Sequence, residues 1–160
     1  MVSAREVAAA VEDPELPMLT IADLGILRSV DESGEQVTVQ ITPTYSGCPA
    51  MGAIRADLVR RLNEAGYSEV DVRTVLHPAW TTDWITHEGR RKLAEHGIAP
   101  PRHPAPRHRQ TLTVGRREPA RCPRCGSRDT VEVSRFGATA CKALYRCIAC
   151  DEPFECVKAI

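Results

Sequence analysis

The chain has 160 residues, which is enough for one ordinary domain and a small additional module. Its formal net charge is zero, but residues 1–99 contain 9 Lys/Arg and 15 Asp/Glu whereas residues 100–160 contain 12 and 6, so the two parts carry balances of −6 and +6. The sequence has neither an apolar run near the roughly 18 residues of a membrane-spanning helix nor an apolar signal-peptide segment, which favours the cytoplasm and reduced cysteines.

The first part of the chain begins with a helix and a hairpin. Ser3 and Glu6 have the spacing of a capping box, which predicts a short helix that ends before Pro14. Residues 26–30 and 37–41 are separated by turn-forming residues, and alternating apolar side chains in the second segment favour strands. We therefore expect an antiparallel pair here.

Two further helices and a strand follow the hairpin. Apolar side chains recur at helical spacing over residues 51–62, and Gly66 ends that helix. Residues 70–75 are rich in valine and predict a third strand. Thr82 is predicted to cap a second long helix, which Gly97 closes. The fold class is thus α+β, with the order α-β-β-α-β-α and a three-stranded mixed sheet.

A proline-rich stretch separates this unit from the rest of the chain. Residues 99–109 contain four prolines and no acidic residue, which is typical of an extended, semi-rigid linker. We predict a domain over residues 1–98, a Pro/Arg-rich linker over 99–118 and a small β domain over 119–160.

Four cysteines in the last domain have the spacing of a metal site. They form two C-x-x-C motifs with 21 residues between them, namely Cys122, Cys125, Cys147 and Cys150. Each motif offers two thiolates from one tight turn, and strand-like segments lie between and after the motifs. This layout predicts a zinc ribbon, whose metal supplies folding free energy that about forty residues cannot obtain from a core alone.

The spacing leaves open which metal is bound and what roles the remaining cysteines have. Four thiolates leave no free coordination position, so zinc would be structural, although rubredoxin-like iron accepts the same ligands. Cys141 and Cys156 are left over, and small buried hydrophobic residues are the simplest interpretation of both. Cys141 could alternatively share in metal binding.

Cys48 is the one cysteine of the first domain. It precedes Pro49, and because proline is favoured at the first helical position, Cys48 should lie at or next to the helix N-cap. Free N–H groups and the helix dipole there predict a thiolate with a lowered pKa. Gly47 lets the backbone approach a ligand, and Thr44 and Ser46 add hydroxyl groups. On spacing alone, an inert buried thiol and a functional thiolate both remain possible.

Several segments of the first domain carry a family resemblance. They are Asp13-Pro14-Glu15-Leu16-Pro17, Asp23-Leu24-Gly25-Ile26, the stretch 42–49 (TPTYSGCP), the stretch 78–85 (PAWTTDWI) and the stretch 97–101 (GIAPP). These segments resemble the iron–sulfur assembly domain family. With the ribbon segments 136–143 (FGATACKA) and 152–154 (EPF), the whole arrangement is similar to the D-subunit family, also lettered J, of the bacterial phenylacetyl-CoA epoxidases (phenylacetate-CoA oxygenases).

The resemblance implies an accessory role in aerobic phenylacetate degradation. It implies partners with metal centres, namely an oxygenase with a di-iron site and a reductase with a [2Fe–2S] cluster and flavin, whose maturation such an accessory protein assists. It also implies that Cys48 is a functional thiolate that transiently binds iron or an iron–sulfur cluster, with Asp13 and Glu15 in the same signature. One departure is Cys156, near which the family leads us to expect an aromatic side chain.

Because one thiolate per chain cannot hold a cluster, we expect a homodimer or a contact with the reductase or oxygenase. Three other functions remain as alternatives: a rubredoxin-like electron carrier, a zinc-ribbon nucleic-acid-binding module and a thiol enzyme that uses Cys48. The linker lacks the interleaved aromatic residues of many single-stranded nucleic-acid sites, and the first domain is acidic, which disfavours nucleic acid.

Overall fold

The computed structural model describes residues 2–101 and 119–159. The chain divides into two compact units, Met1–Lys92 and Leu93–Ile160. Among the described residues, no helix combines the length and apolar character that crossing a membrane requires. Residues 102–118, which form most of the predicted linker 99–118, lie outside the described residues.

The first helix, α1 (Ala4–Ala9), begins with the predicted capping box. The Glu6 backbone N–H donates to Ser3 Oγ over 3.3 Å, and the Ser3 backbone N–H donates to Glu6 Oε2 over 2.9 Å. Both side chains thereby satisfy N–H groups that the helix itself leaves unpaired. The helix ends before Pro14, as predicted.

A three-stranded mixed sheet forms the centre of the first unit, and the predicted sheet is confirmed. Strand β1 (Leu27–Ser33) pairs antiparallel with β2 (Gln36–Ile41), which pairs in parallel with β3 (Glu69–Thr74). The side chains of Val37, Val39 and Ile41 are fully buried. Because β2 and β3 are parallel, the loops that follow them leave from the same edge of the sheet.

The long helix α2 (Ala50–Glu64) connects β2 to β3. Its buried side chains, Ala50, Ile54, Leu58 and Leu62, recur every four residues and place one face of the helix in the core. Gly66, with φ of +101°, follows the helix and allows the chain to reverse. This helix and its end agree with the sequence prediction.

The prediction for Thr82 is wrong. Thr82 is buried in a one-turn 3₁₀ helix (Thr82–Trp84), whose cap is Thr81. The last helix, α3 (His87–Glu95), is separate, and its first turn is capped by Thr86, whose Oγ1 accepts from the Gly89 N–H over 2.9 Å. The Thr86 N–H donates to the Asp23 carbonyl. This tertiary contact holds Thr86, and not Thr82, at the start of α3. Gly97 follows α3 with φ of +75°, as predicted.

The second unit contains a four-stranded sheet in the order β4-β7-β6-β5. Strands β5 (Thr130–Ser134), β6 (Lys142–Cys147) and β7 (Pro153–Val157) form the antiparallel ribbon that the sequence predicts. The short strand β4 (Ile98–Ala99) pairs in parallel with β7. Ile98 and Ala99, at the predicted end of the first domain and start of the linker, therefore belong to this sheet.

Candidate metal centre and thiol site

The four predicted metal ligands converge in the second unit. Their sulfur atoms, in Cys122, Cys125, Cys147 and Cys150, all lie within 4.8 Å of one another. Cys147 ends β6, and the other three lie in the two loops that carry the C-x-x-C motifs. Within the described parts of the chain, this is the one group of three or more potential ligands at such distances.

The sulfur separations fit a tetrahedral metal. A Zn–S bond of about 2.3 Å places the sulfurs of a regular tetrahedron about 3.8 Å apart. The Sγ–Sγ distance is 3.8 Å between Cys122 and Cys150 and 3.5 Å between Cys125 and Cys147. The residues therefore match a four-thiolate zinc ion, and iron would accept the same set.

Corresponding backbone turns shape the two motifs. Gly126 and Asp151 each follow the second cysteine of their motif, and both are left-handed, with φ of +74° and +61°. The Cys122 N–H donates to the Ser127 carbonyl, and the Cys147 N–H donates to the Glu152 carbonyl, each over 2.9 Å. The left-handed turn at Gly126 is predictable from the sequence, because glycine adopts positive φ readily. The left-handed turn at Asp151 becomes predictable only when the two motifs are aligned.

The environment of the cluster is suited to a structural ion. Cys122 and Cys147 are buried, and they pack with Ala99, Ala120 and Phe154 in the small core of the unit. The thiols shift one another in opposite directions: burial opposes ionisation of Cys147, but the backbone N–H groups of Cys150 and Ala149 and the neighbouring thiols lower its pKa to about 7, whereas the pKa values of Cys125 and Cys150 are raised. Four thiolates would fill the tetrahedron and leave no position for a substrate.

The two remaining cysteines of this unit lie outside the cluster. The sulfur of Cys141 is 3.1 Å from Thr139 Oγ1, and that of Cys156 lies 3.5 Å from the carbonyl of Val157, to which it donates. Cys156 packs partly buried against the small core. Both positions agree with the simpler interpretation of these thiols as packed side chains.

Cys48 lies in the loop between β2 and α2. The loop turns through a hydrogen bond from the Cys48 N–H to the Tyr45 carbonyl and through Gly47, whose φ is +90°. Pro49 is the N-cap and α2 begins at Ala50, so Cys48 lies next to the cap, as predicted. Its thiol is half-buried, whereas Ser46 and Gly47 are exposed. Cys48 is therefore partly accessible to a ligand.

The predicted low pKa of Cys48 is wrong. Burial raises the pKa of this thiol, and the negative charges of Glu15 and Asp13 raise it further. The Ala50 backbone N–H and the Thr44 hydroxyl act in the opposite direction without reversing the shift. The helix N-terminus thus contributes as expected, but burial and the two carboxylates outweigh it.

Asp13 has a clear structural role beside this thiol. It is 6% exposed, and its Oδ1 accepts from the backbone N–H groups of Glu15 and Leu16, each over 2.9 Å. The Asp13 N–H donates to the Leu19 carbonyl over 2.9 Å. These bonds fix the acidic turn. Of the predicted supporting residues, the structure brings Asp13, Glu15 and Thr44 to Cys48, while Ser46 and Gly47 adjoin it in sequence.

Comparison with known proteins gives a consistent result for both units. A family described as an iron–sulfur cluster assembly protein matches residues 5–73, and one described as a PaaD zinc beta ribbon domain matches residues 106–158. A protein of Escherichia coli (strain K12), assigned as the D component of a 1,2-phenylacetyl-CoA epoxidase, is 46% identical over 151 residues, which cover 94% of this chain and 87% of that protein.

Solved structures resemble part of the chain. The domain of unknown function DUF59 from Bacillus anthracis has a TM-score of 0.52 and 28% identity, covering 56% of this chain and 87% of its own. Rv1466 from Mycobacterium tuberculosis, described as associated with [Fe-S] complex assembly and repair, is 30% identical and covers 57% of this chain and 80% of its own, but its TM-score of 0.33 carries no structural argument.

Proposed function

Because this chain belongs to the D-subunit family of the phenylacetyl-CoA epoxidases, with an iron–sulfur assembly domain and a zinc ribbon, we propose that it is an accessory protein of that enzyme and delivers iron or an iron–sulfur cluster to a partner. The client would be the reductase or the oxygenase. The observation that carries the proposal is the convergence of Cys48 with Glu15, Asp13 and Thr44 at the start of α2.

The charges around Cys48 suit a cationic cargo. Two carboxylates beside a thiol disfavour a free thiolate, but they stabilise a positively charged metal that a thiolate binds. Glu15 is partly exposed and Asp13 is held by two backbone N–H groups, so the acidic turn is positioned before any ion arrives. An iron ion or a cluster, acting as substrate, would thus meet a preorganised site.

One thiolate per chain also determines how firmly the cargo is held. An iron–sulfur cluster takes about four ligands, so Cys48 needs additional donors from a second copy of this chain, a client or a small thiol. A cluster that is incompletely ligated by its carrier passes readily to a client with a full ligand set. We accordingly propose that the active form is a homodimer or a complex with the client.

The ribbon would hold its zinc permanently and present a docking surface. Cys122, Cys125, Cys147 and Cys150 would be the four ligands, and the metal would supply the folding free energy that so small a core lacks. No chemistry is assigned to this ion. We also propose that the protein lies in the cytoplasm and does not itself catalyse a reaction.

A cluster-transfer assay tests the proposed function. Wild-type protein is loaded anaerobically with iron and sulfide, freed of excess iron and mixed with reductase whose cluster has been removed; the returning cluster absorbance and electron-transfer activity are followed. We expect Cys48→Ala to abolish transfer. Cys141→Ala is the matched control, because Cys141 is also a half-buried thiol and lies outside the four-sulfur cluster. Equal transfer by Cys48→Ala and wild type would refute the proposal.

A further inference from the structure

The short strand β4 belongs to the ribbon sheet, although it precedes the Pro/Arg-rich segment in the sequence. Ile98 pairs with Glu155 and Ala99 pairs with Cys156 of β7, in parallel register. Ile98 is 8% exposed and Ala99 is 1% exposed. A strand of two residues has few backbone hydrogen bonds of its own, so its position depends on the core against which its side chains pack.

Ala99 packs in the same small core as two of the proposed zinc ligands. The buried side chains of that core are Ala99, Ala120, Cys122, Cys147 and Phe154. Two of them are ligands and two are alanines, which bury little apolar surface. A core of this size does not hold a small unit together by itself. The burial of Ala99 should therefore depend on the metal that the neighbouring cysteines bind.

The chain reaches this core from both sides of residues 102–118. Ala99 lies before them and Ala120 after them, and the Ala120 carbonyl accepts from Thr130 Oγ1 over 2.6 Å. The two anchoring alanines belong to the same unit, Leu93–Ile160. Bringing together two positions so far apart in the sequence costs chain entropy. Metal binding is the largest favourable contribution available to so small a unit.

The position of β4 determines how long the connection between α3 and the ribbon is. Only His96 and Gly97 separate the end of α3 from the start of β4. The Gly97 N–H donates to the Ala94 carbonyl over 3.1 Å, and Gly97 is left-handed, so the chain turns directly from the helix into the strand. If β4 leaves the sheet, the next anchored residue is Ala120, and the connection extends over residues 96–119.

We infer that zinc binding by the ribbon holds β4 on β7, so that the metal sets the length of the chain that joins α3 to the ribbon. With zinc bound, that connection is His96 and Gly97. Without zinc, Ile98 and Ala99 leave the sheet and become part of a much longer connection. The inference does not involve Cys48, and it holds whether or not the protein delivers iron or a cluster.

Methyl NMR of the full chain, zinc-loaded and after removal of zinc by a chelator under reducing conditions, tests the inference. Removal of zinc should move the methyl signals of Ile98 and Ala99 to the positions of an unfolded chain. Ile54 of α2 is the internal control, because it is 1% exposed in the first unit and should keep its signal. One equivalent of zinc should restore the Ile98 and Ala99 signals together with those of Val157 on β7.

The coupling is reciprocal, so a change that weakens the docking of β4 should also weaken zinc binding. Ala99→Asp places an unpaired charge in the core and should lower the zinc affinity, measured by competition with a chromophoric chelator, by about tenfold or more. Ala140→Asp is the matched control, because it adds the same charge at an exposed alanine of the ribbon outside the core. This control should bind zinc like wild type.

Three results would overturn the inference. Folded signals of Ile98 and Ala99 in the zinc-free protein would show that contacts other than the metal-dependent core hold β4. Unfolded signals of the same residues in the zinc-loaded protein would show that β4 is not docked. Equal zinc affinities of Ala99→Asp and Ala140→Asp would show that β4 and the metal are uncoupled. The NMR comparison uses the wild type, so it decides the question even where Ala99→Asp leaves the ribbon unfolded.

Discussion

The carboxylate of Glu15 lies near enough to the thiol of Cys48 for its negative charge to oppose ionisation of that thiol. The two residues are brought together because the acidic turn after α1 packs beside the loop that leads into α2. Burial is the larger cause of the raised pKa of Cys48, and Asp13 acts in the same sense as Glu15. In the absence of a metal, Cys48 is therefore a protonated thiol near neutral pH.

The pH dependence of alkylation tests this electrostatic relationship. Because the thiolate is the reactive form, alkylation of Cys48 by iodoacetamide should rise with pH through a midpoint above that of an ordinary cysteine. Glu15→Gln removes a charge that raises the pKa, so the midpoint should fall and the rate at pH 7 should increase. Peptide mass spectrometry distinguishes Cys48 from the six other cysteines.

Glu12→Gln is the control for this experiment. Glu12 is exposed and lies on the same turn, but it is not among the groups that shift the pKa of Cys48. It should leave the alkylation profile unchanged. A midpoint below that of a free cysteine, or an equal effect of the two substitutions, would contradict the assignment.

A second prediction concerns the contact between Gly25 and Trp84. A β-carbon on Gly25 would lie 2.6 Å from Trp84 Cβ and 2.7 Å from its carbonyl oxygen, and the φ of Gly25 is +70°. Gly34 has a similar φ of +63° but nothing within 4 Å of such an atom. Gly34→Ala should therefore cost about 1–2 kcal/mol for the left-handed backbone alone, and Gly25→Ala about 2–5 kcal/mol because overpacking adds to it.

Denaturant unfolding followed by tryptophan fluorescence measures both changes, because the two tryptophans, Trp80 and Trp84, belong to the first unit. The indole N–H of Trp80 donates to the Leu24 carbonyl over 2.8 Å, so the signal reports the region that Gly25 supports. Equal losses for Gly25→Ala and Gly34→Ala would show that the close approach has no energetic consequence.

A third prediction concerns the zinc ion and the independence of the two units. Cys125→Ser should release zinc and unfold the ribbon, because metal binding supplies about 10–16 kcal/mol in comparable small sites. If the predicted domains fold separately, the tryptophan unfolding transition of the first unit should keep its midpoint. Zinc is measured by elemental analysis, and the ribbon by loss of amide protection over β5 to β7.

Cys156→Ser is the matched control, since that thiol lies in the ribbon but outside the cluster. It should keep its zinc. Loss of zinc from Cys156→Ser, or retention of the metal by Cys125→Ser, would contradict the ligand assignment. A shifted tryptophan transition in Cys125→Ser would contradict the domain prediction instead.

Much of this architecture is predictable from local patterns. The four-residue recurrence of apolar side chains fixes α2, and the spacing of the cysteines predicts the ribbon. Thr82 shows the limit of such reasoning, because Thr81, Thr82 and Thr86 have the same capping chemistry. The choice of Thr86 depends on its contact with Asp23, which is 63 residues away.

The electrostatics of Cys48 lie beyond sequence patterns for the same reason. The helix N-terminus is visible in the sequence and predicts a lowered pKa, whereas burial and the distant carboxylates are not visible and raise it. The left-handed conformation of Asp151 is recognisable in the sequence only through its correspondence with Gly126 in the first motif.

The central claim is that Cys48 binds the cargo while the ribbon holds a separate structural metal. Iron, sulfide and zinc are measured after anaerobic reconstitution of wild type and Cys48→Ala with iron and sulfide. We predict one zinc per chain in both proteins and uptake of iron and sulfide by wild type alone. Equal iron in both proteins, with zinc displaced, would contradict the account and favour a rubredoxin-like electron carrier in the four-cysteine site.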